Sequence, residues 1–284
     1  MTFRSQFTNL PAAAIAVAIA VGSTQVHASS FPQGYAADVS GLTSGMHSAT
    51  ALEMISAQSE REGATTAKVN SRFQRDETVF LSSAWGSSPE AFGSRSSIDL
   101  LAAGFSSHLS GEELFYASRV SFFAKGKEAD TEQTLENVRA KYGEPSIVRT
   151  KNDETTLAYF FKDGKQLTGD DKEARGCSAF ENRIHLQPGR WSMQNRGENF
   201  ILDEAFRRFQ VSTRNGRCDA ILAVTLEYGR VDGLVTDKLV QRINVSMHDH
   251  KRFVENQQAE EAALKAVTDK ITNEVRSTTG GADF

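Results

Sequence analysis

The sequence predicts an α+β fold of two similar helix-plus-antiparallel-sheet units, interrupted by insertions and closed by a C-terminal helix. Three observations predict it. Helical periodicity is confined to a few stretches, alternating apolar runs fill much of the rest, and the order helix-then-hairpin occurs twice. Ala51-Leu-Glu-Met-Ile55 aligns with Thr134-Leu-Glu-Asn-Val138, and Asp76-Glu-Thr-Val-Phe80 aligns with Asp153-Glu-Thr-Thr-Leu157. A recurring unit is sought before any fold is assigned, because it sets the architecture.

Along the chain, residues 1–28 have the layout of a secretory signal peptide: one positive charge at Arg4, an apolar run from Leu10 to Val21, then Val26-His27-Ala28. Small residues at Val26 and Ala28 predict a cut after Ala28. The apolar run is shorter than the roughly 20 residues a spanning helix needs. No cysteine lies at the cut, so lipid anchoring of the usual bacterial kind is not expected. The mature chain is expected to be an exported periplasmic protein with no transmembrane segment.

Residues 29–125 form the first predicted unit. A loose polar arm leads to a helix from Ser48, read as its N-cap, to Arg61, with Gly63 as a stop. Extended runs follow at 65–73 and 78–84, the second rich in β-branched and aromatic residues. Residues 85–113 read as a Gly/Ser-rich insertion, with Ile98–Ala103 as a helical turn or two. An aromatic strand spans Leu114–Ala124.

The second unit covers 126–250. Thr131 caps a helix reading Leu135, Val138, Ala140 and Tyr142, stopped by Gly143 and Pro145. A strand pair follows at 146–150 and 154–162, where Thr155, Leu157, Tyr159 and Phe161 share one face. Residues 163–217 are the largest insertion, with a helix predicted at 198–210. Two further strands span 219–228 and 239–247. From Arg252 the chain is helical, with Leu264, Val267, Ile271 and Val275 on a stripe, so residues 251–284 are a C-terminal helix and tail.

Cys177 and Cys218 are the only cysteines. In an oxidising compartment two cysteines predict a disulfide. Closing a loop of roughly 40 residues stabilises by about 4 kcal/mol in the chain-entropy account.

The formal net charge of −4 gives no basic footprint for nucleic acid. Candidate chemistry is sparse. His248-Asp249-His250 is the one histidine cluster; at a strand end both imidazoles would point to one side and offer two of the ligands Zn²⁺ needs. Gly-x-Ser-x-Gly, Gly-x-x-x-x-Gly-Lys and the dinucleotide fingerprint are absent from the sequence. Neither a cofactor nor a catalytic residue is assigned. The remaining lead is aromatic: in Phe122-Phe123 and Phe160-Phe161, one ring of each pair must face away from the helices. Those four residues are candidates for an interaction surface.

Gly45-Met46 before a short helix, and a second helix ending in Tyr142-Gly143-Glu144-Pro145 before an aromatic hairpin, resemble the SmpA/OmlA (BamE) type of outer-membrane assembly protein. Two such units in tandem are similar to the β-lactamase-inhibitory-protein scaffold. The resemblance covers the helix and hairpin of each half. It implies a non-enzymatic envelope protein that binds another envelope or periplasmic protein through a sheet surface. This chain lacks the lipid-anchoring cysteine, and its first half lacks the Gly-x-Pro element. Two alternatives stand beside this expectation: a metal-dependent or serine hydrolase with its site in the insertions, and an inhibitor of a periplasmic enzyme.

Overall fold

A computed structural model describes residues 30–89, 97–177 and 218–278, apart from 36, 76, 77, 152, 173 and 175; for 64, 65 and 67–89 it describes the backbone. The predicted helix at 198–210 and the signal segment lie outside these residues.

One antiparallel sheet of ten strands organises the described chain. The first half contributes β3 (Ala64–Arg75), β4 (Thr78–Pro89), β5 (Ile98–Phe105) and β6 (Leu114–Phe122). The second contributes β7 (Ala129–Asp130), β8 (Ile147–Lys151), β9 (Glu154–Lys162), β10 (Lys165–Gln166), β11 (Ala220–Val231) and β12 (Leu234–Asp249). Across the sheet the order is β10-β9-β11-β12-β6-β5-β4-β3, with β8 also on β9 and β7 on β12. Each half thus winds from an outer edge inward, and the last strands of the two halves, β6 and β12, pair at the centre. Their register sets Tyr116 opposite His248 and Ser118 opposite Ser246. The aligned sequence segments fall in the first turns of the two helices described next and at the β3–β4 and β8–β9 turns.

Helix α1 (Ser48–Arg61) and helix α2 (Thr131–Tyr142) pack on the same face of the sheet. Their caps lie one residue earlier than the sequence suggests. His47 Nδ1 accepts from the Ala49 N–H at 3.2 Å, which frees the Ser48 hydroxyl to donate to Glu112 at 2.7 Å. Asp130 accepts from the Gln133 N–H at 2.8 Å. Gly143, at φ +80°, ends α2 by donating its N–H to the Arg139 carbonyl, a conformation glycine adopts without penalty.

Against this face sit Ala51, Ile55, Leu101, Ala103, Leu157, Tyr159, Leu222, Val224 and Met247, all buried. The opposite face carries Ala158, Phe160 and Ile221, closed by Ala174 and Cys177. Cys177 and Cys218 are paired, with Cα atoms 5.8 Å apart. Central strands covered on both sides read as near-continuous apolar runs rather than strict alternation. That is why Ile98–Ala103 looked helical in sequence: Leu100 to Ala103 are buried on both faces, and the segment is strand β5 between β4 and β6.

The N-terminal arm also departs from expectation. It is seated, not loose. A small hairpin, β1 (Asp38–Val39) and β2 (Leu42–Thr43), buries Val39 and Leu42 completely. Tyr35 donates to the Tyr142 carbonyl at 2.8 Å, and Tyr142 donates to the Asp38 carbonyl at 2.9 Å.

The aromatic pairs are the main correction at the sites. Phe160 and Phe161 are fully buried, so they form no open surface. Phe161 lies beneath the arm, with ring centroids 5.0 Å from Phe31 and 4.8 Å from Tyr35. Phe122 and Phe123 are half-buried; the Arg242 guanidinium lies over Phe122 at 5.5 Å.

Candidate functional site

The last strand runs directly into helix α3 (His250–Thr278). Asp249 is the hinge residue. Its Oδ1 accepts the Arg252 backbone N–H at 2.9 Å, the geometry of a helix N-cap. The carboxylate is completely buried and also accepts the Ser30 hydroxyl at 2.5 Å and the Ser44 hydroxyl. A buried charge persists only when it is paired and hydrogen-bonded. The Arg252 guanidinium supplies the countercharge, with Nε 3.6 Å from Asp249 Oδ2.

Arg252 spreads the network further. Nε donates to Ser44 Oγ at 2.9 Å and Nη1 to Glu113 Oε2 at 2.5 Å. The guanidinium lies against Gly45: a Cβ there would come within 3.0 Å of Arg252 Cζ, and φ at Gly45 is +80°. The arm, the start of β6, the end of β12 and the root of α3 are thereby tied into one cluster.

The histidines lie beside this cluster. His248 packs on Tyr116 with centroids 4.7 Å apart, and His250 stacks with His248 at 6.0 Å. Both are buried, and burial lowers His250 to about 4, so its ring is neutral at pH 7. The pair is brought together as the sequence suggested. Among the described residues, no three His, Cys, Asp or Glu side chains converge as a metal ion would require.

Farther along α3, Phe253 packs on Phe115 at 4.7 Å. Glu260 accepts from the Ser107 N–H at 2.7 Å and the Ser110 hydroxyl at 2.5 Å, fastening the helix to the 3-10 turn His108–Ser110. Gly104 lies below, where a Cβ would be 3.4 Å from Tyr116 Cβ and 3.5 Å from the Phe115 ring. The inner half of α3 is therefore buried mainly through polar side chains: Arg252, Asn256, Gln257 and Glu260, with Phe253.

The outer half is the reverse. Val267, Ile271 and Val275 are 55%, 54% and 54% exposed. Residues 253, 257, 260, 264, 267, 271 and 275 follow one another at steps of three or four, so they lie on one helix face. The face that rests on the body continues past it and becomes apolar. Lys265–Asp269 and Lys270–Glu274 pairs line the flanks of this stretch, at 2.7 and 3.9 Å.

Chemically, the root cluster holds. Asp249 and Glu113 are both occupied by partners, and Ser44 donates to a carboxylate and accepts from a guanidinium. This arrangement fixes a helix. The sequence reading passed over Asp249, Arg252, Glu113 and Glu260. The available signal was Asp249 itself, an N-cap residue type directly before helical periodicity, which the flanking histidines drew toward a metal reading instead.

The described fold is α+β, with helices on a large antiparallel sheet, and none of the described helices is long and apolar enough to cross a membrane. Compared with known proteins, the chain matches no family model, no curated protein and no solved structure.

Proposed function

We propose that the chain is an exported periplasmic protein that works by binding another envelope protein, without catalysis, and that α3 is its docking element. The observation that carries this is the exposed stripe Val267, Ile271 and Val275 on a helix whose root is held by a buried ionic cluster. Isolated exposed apolar residues are ordinary, whereas an apolar row at helical spacing is how an amphipathic helix engages a groove. A rigid root favours such a role, because a preorganised element loses less entropy on binding. The paired cysteines support an oxidising compartment. The repeated helix-and-meander order supports two copies of one ancestral unit, as in the tandem scaffold that the sequence resembles. An inhibitor of a periplasmic enzyme is a special case, with the enzyme as the partner.

The test is a photo-crosslinking residue placed in intact cells at Ile271 and, on the opposite side of the helix, at Ala266. A discrete adduct with one protein from position 271, and none from 266, supports the reading. Equal diffuse labelling from both positions removes it.

A further inference from the structure

Strand β3 ends the sheet. It pairs with β4 over its whole length, Ala64↔Pro89 to Arg75↔Thr78, and meets no strand on its other side among the described residues. Twelve residues of strand run for about 40 Å, and at alternate residues the backbone N–H and C=O groups point away from β4, where no described strand meets them. An open edge of that kind is a template for another strand.

Helix α3 points toward it. Its first turns touch β11 and β6, where the Lys251 N–H donates to the Asp219 carbonyl and Phe253 meets Phe115. Farther on, Glu260 holds the 3-10 turn, and the helix also touches β4. The helix thus crosses the strand ends in sheet order and heads for the β3 side. Residues 264–277 then extend for about 20 Å at 1.5 Å per residue. That is the width of about four strands at 4.8 Å spacing. The apolar face of the overhang is the one that rests on the body farther back.

We propose that the β3 edge takes an extended, acidic segment of the partner as an added strand, with the outer half of α3 closing over it. The charge comes from the sequence: β3 contains Lys68, Arg72 and Arg75 and no Asp or Glu, in a chain whose formal net charge is −4. Three like charges along an edge oppose pairing with the same strand of a second copy. The same charges favour a strand carrying Asp or Glu. The added strand satisfies the open backbone groups, and the exposed Val267 and Ile271 gain an apolar cover. This rests on the binding reading above and names the surface and the partner's chemistry.

The test uses the full oxidised chain and a fluorescent twelve-residue peptide of alternating Glu and Val, read by anisotropy. Saturable binding is expected, about tenfold or more tighter than for the matching Lys–Val peptide. This preference opposes the chain's net negative charge, so it reports the local edge. Methylating alternate peptide nitrogens is expected to abolish binding, and the double variant Lys68→Glu/Arg72→Glu to weaken it about tenfold. Ile271→Ser is expected to weaken it less. If that double variant does not fold, the three peptides on the unaltered chain decide alone. Equal binding of the Glu–Val and Lys–Val peptides overturns the proposal, as does indifference to N-methylation. A concentration-dependent dimer in sedimentation that blocks peptide binding gives the edge to a second copy and also overturns it. Crosslinking from position 271 in cells is unaffected by these failures, so the binding reading stands or falls separately.

Discussion

The two halves of α3 share one face and use it in opposite ways. In the inner half that face is polar and buried; in the outer half it is apolar and exposed. Hydrophobicity alone would assign burial the other way round. The difference shows that what seats this helix is pairing. Asp249, Arg252 and Glu260 are buried because each finds partners at hydrogen-bonding distance, among them the half-buried Glu113, and these partners come from the arm, the start of β6 and the 3-10 turn. The apolar outer residues Val267, Ile271 and Val275 are each more than half exposed.

Breaking the root should have the largest effect. Asp249→Ala removes the cap and leaves the buried Arg252 with Glu113 as its one countercharge among the described residues, a loss of about 3–5 kcal/mol by urea unfolding. Asp249→Asn keeps an N-cap acceptor and is expected to lose less.

Acid probes the same region. His250 is lowered to about 4 by burial, against 6.5 when exposed. The unfolded chain therefore binds the proton first. The contribution of this group is complete above pH 6.5 and is lost as pH falls from 6.5 toward 4, about 3 kcal/mol in all. Stability measured against pH should show that loss, and His250→Phe should flatten it.

Next comes Glu260→Ala, which strands the Ser107 N–H and is expected to lose about 1–3 kcal/mol. Amide exchange across 256–262 should rise with it. Smallest is Ile271→Ser in the outer half. An exposed position is expected to shift stability by no more than about 0.5 kcal/mol, while the same change weakens partner binding. A large stability loss there would mean that the stripe is packed against its own chain.

Much of this was legible in the sequence. Helical spacing located α1, α2 and α3, Gly143 marked the end of α2, and strict alternation located β9 and β11. The stripe Leu264, Val267, Ile271 and Val275 was visible as well. Its exposure was not, because periodicity reports that residues share a face and says nothing of what lies opposite. Asp249 and Arg252 were hidden for a related reason: their partners Ser30, Ser44 and Glu113 lie far away in sequence, and no local pattern announces them. Strand β5 was missed because burial on both faces erases alternation. The aromatic pairs misled because the face turned away from the helices is itself closed, at Phe160 by Ala174 and Cys177.

Hydrogen exchange along α3 and β3, in the full oxidised chain with and without the Glu–Val peptide, tests the central claim most directly. Residues 250–260 are expected to be slow throughout. Residues 264–277 and β3 should exchange fast in the free chain and slow down together when the peptide is added. Residues 264–277 that are already slow in the free chain, or that stay fast while β3 slows, would contradict it.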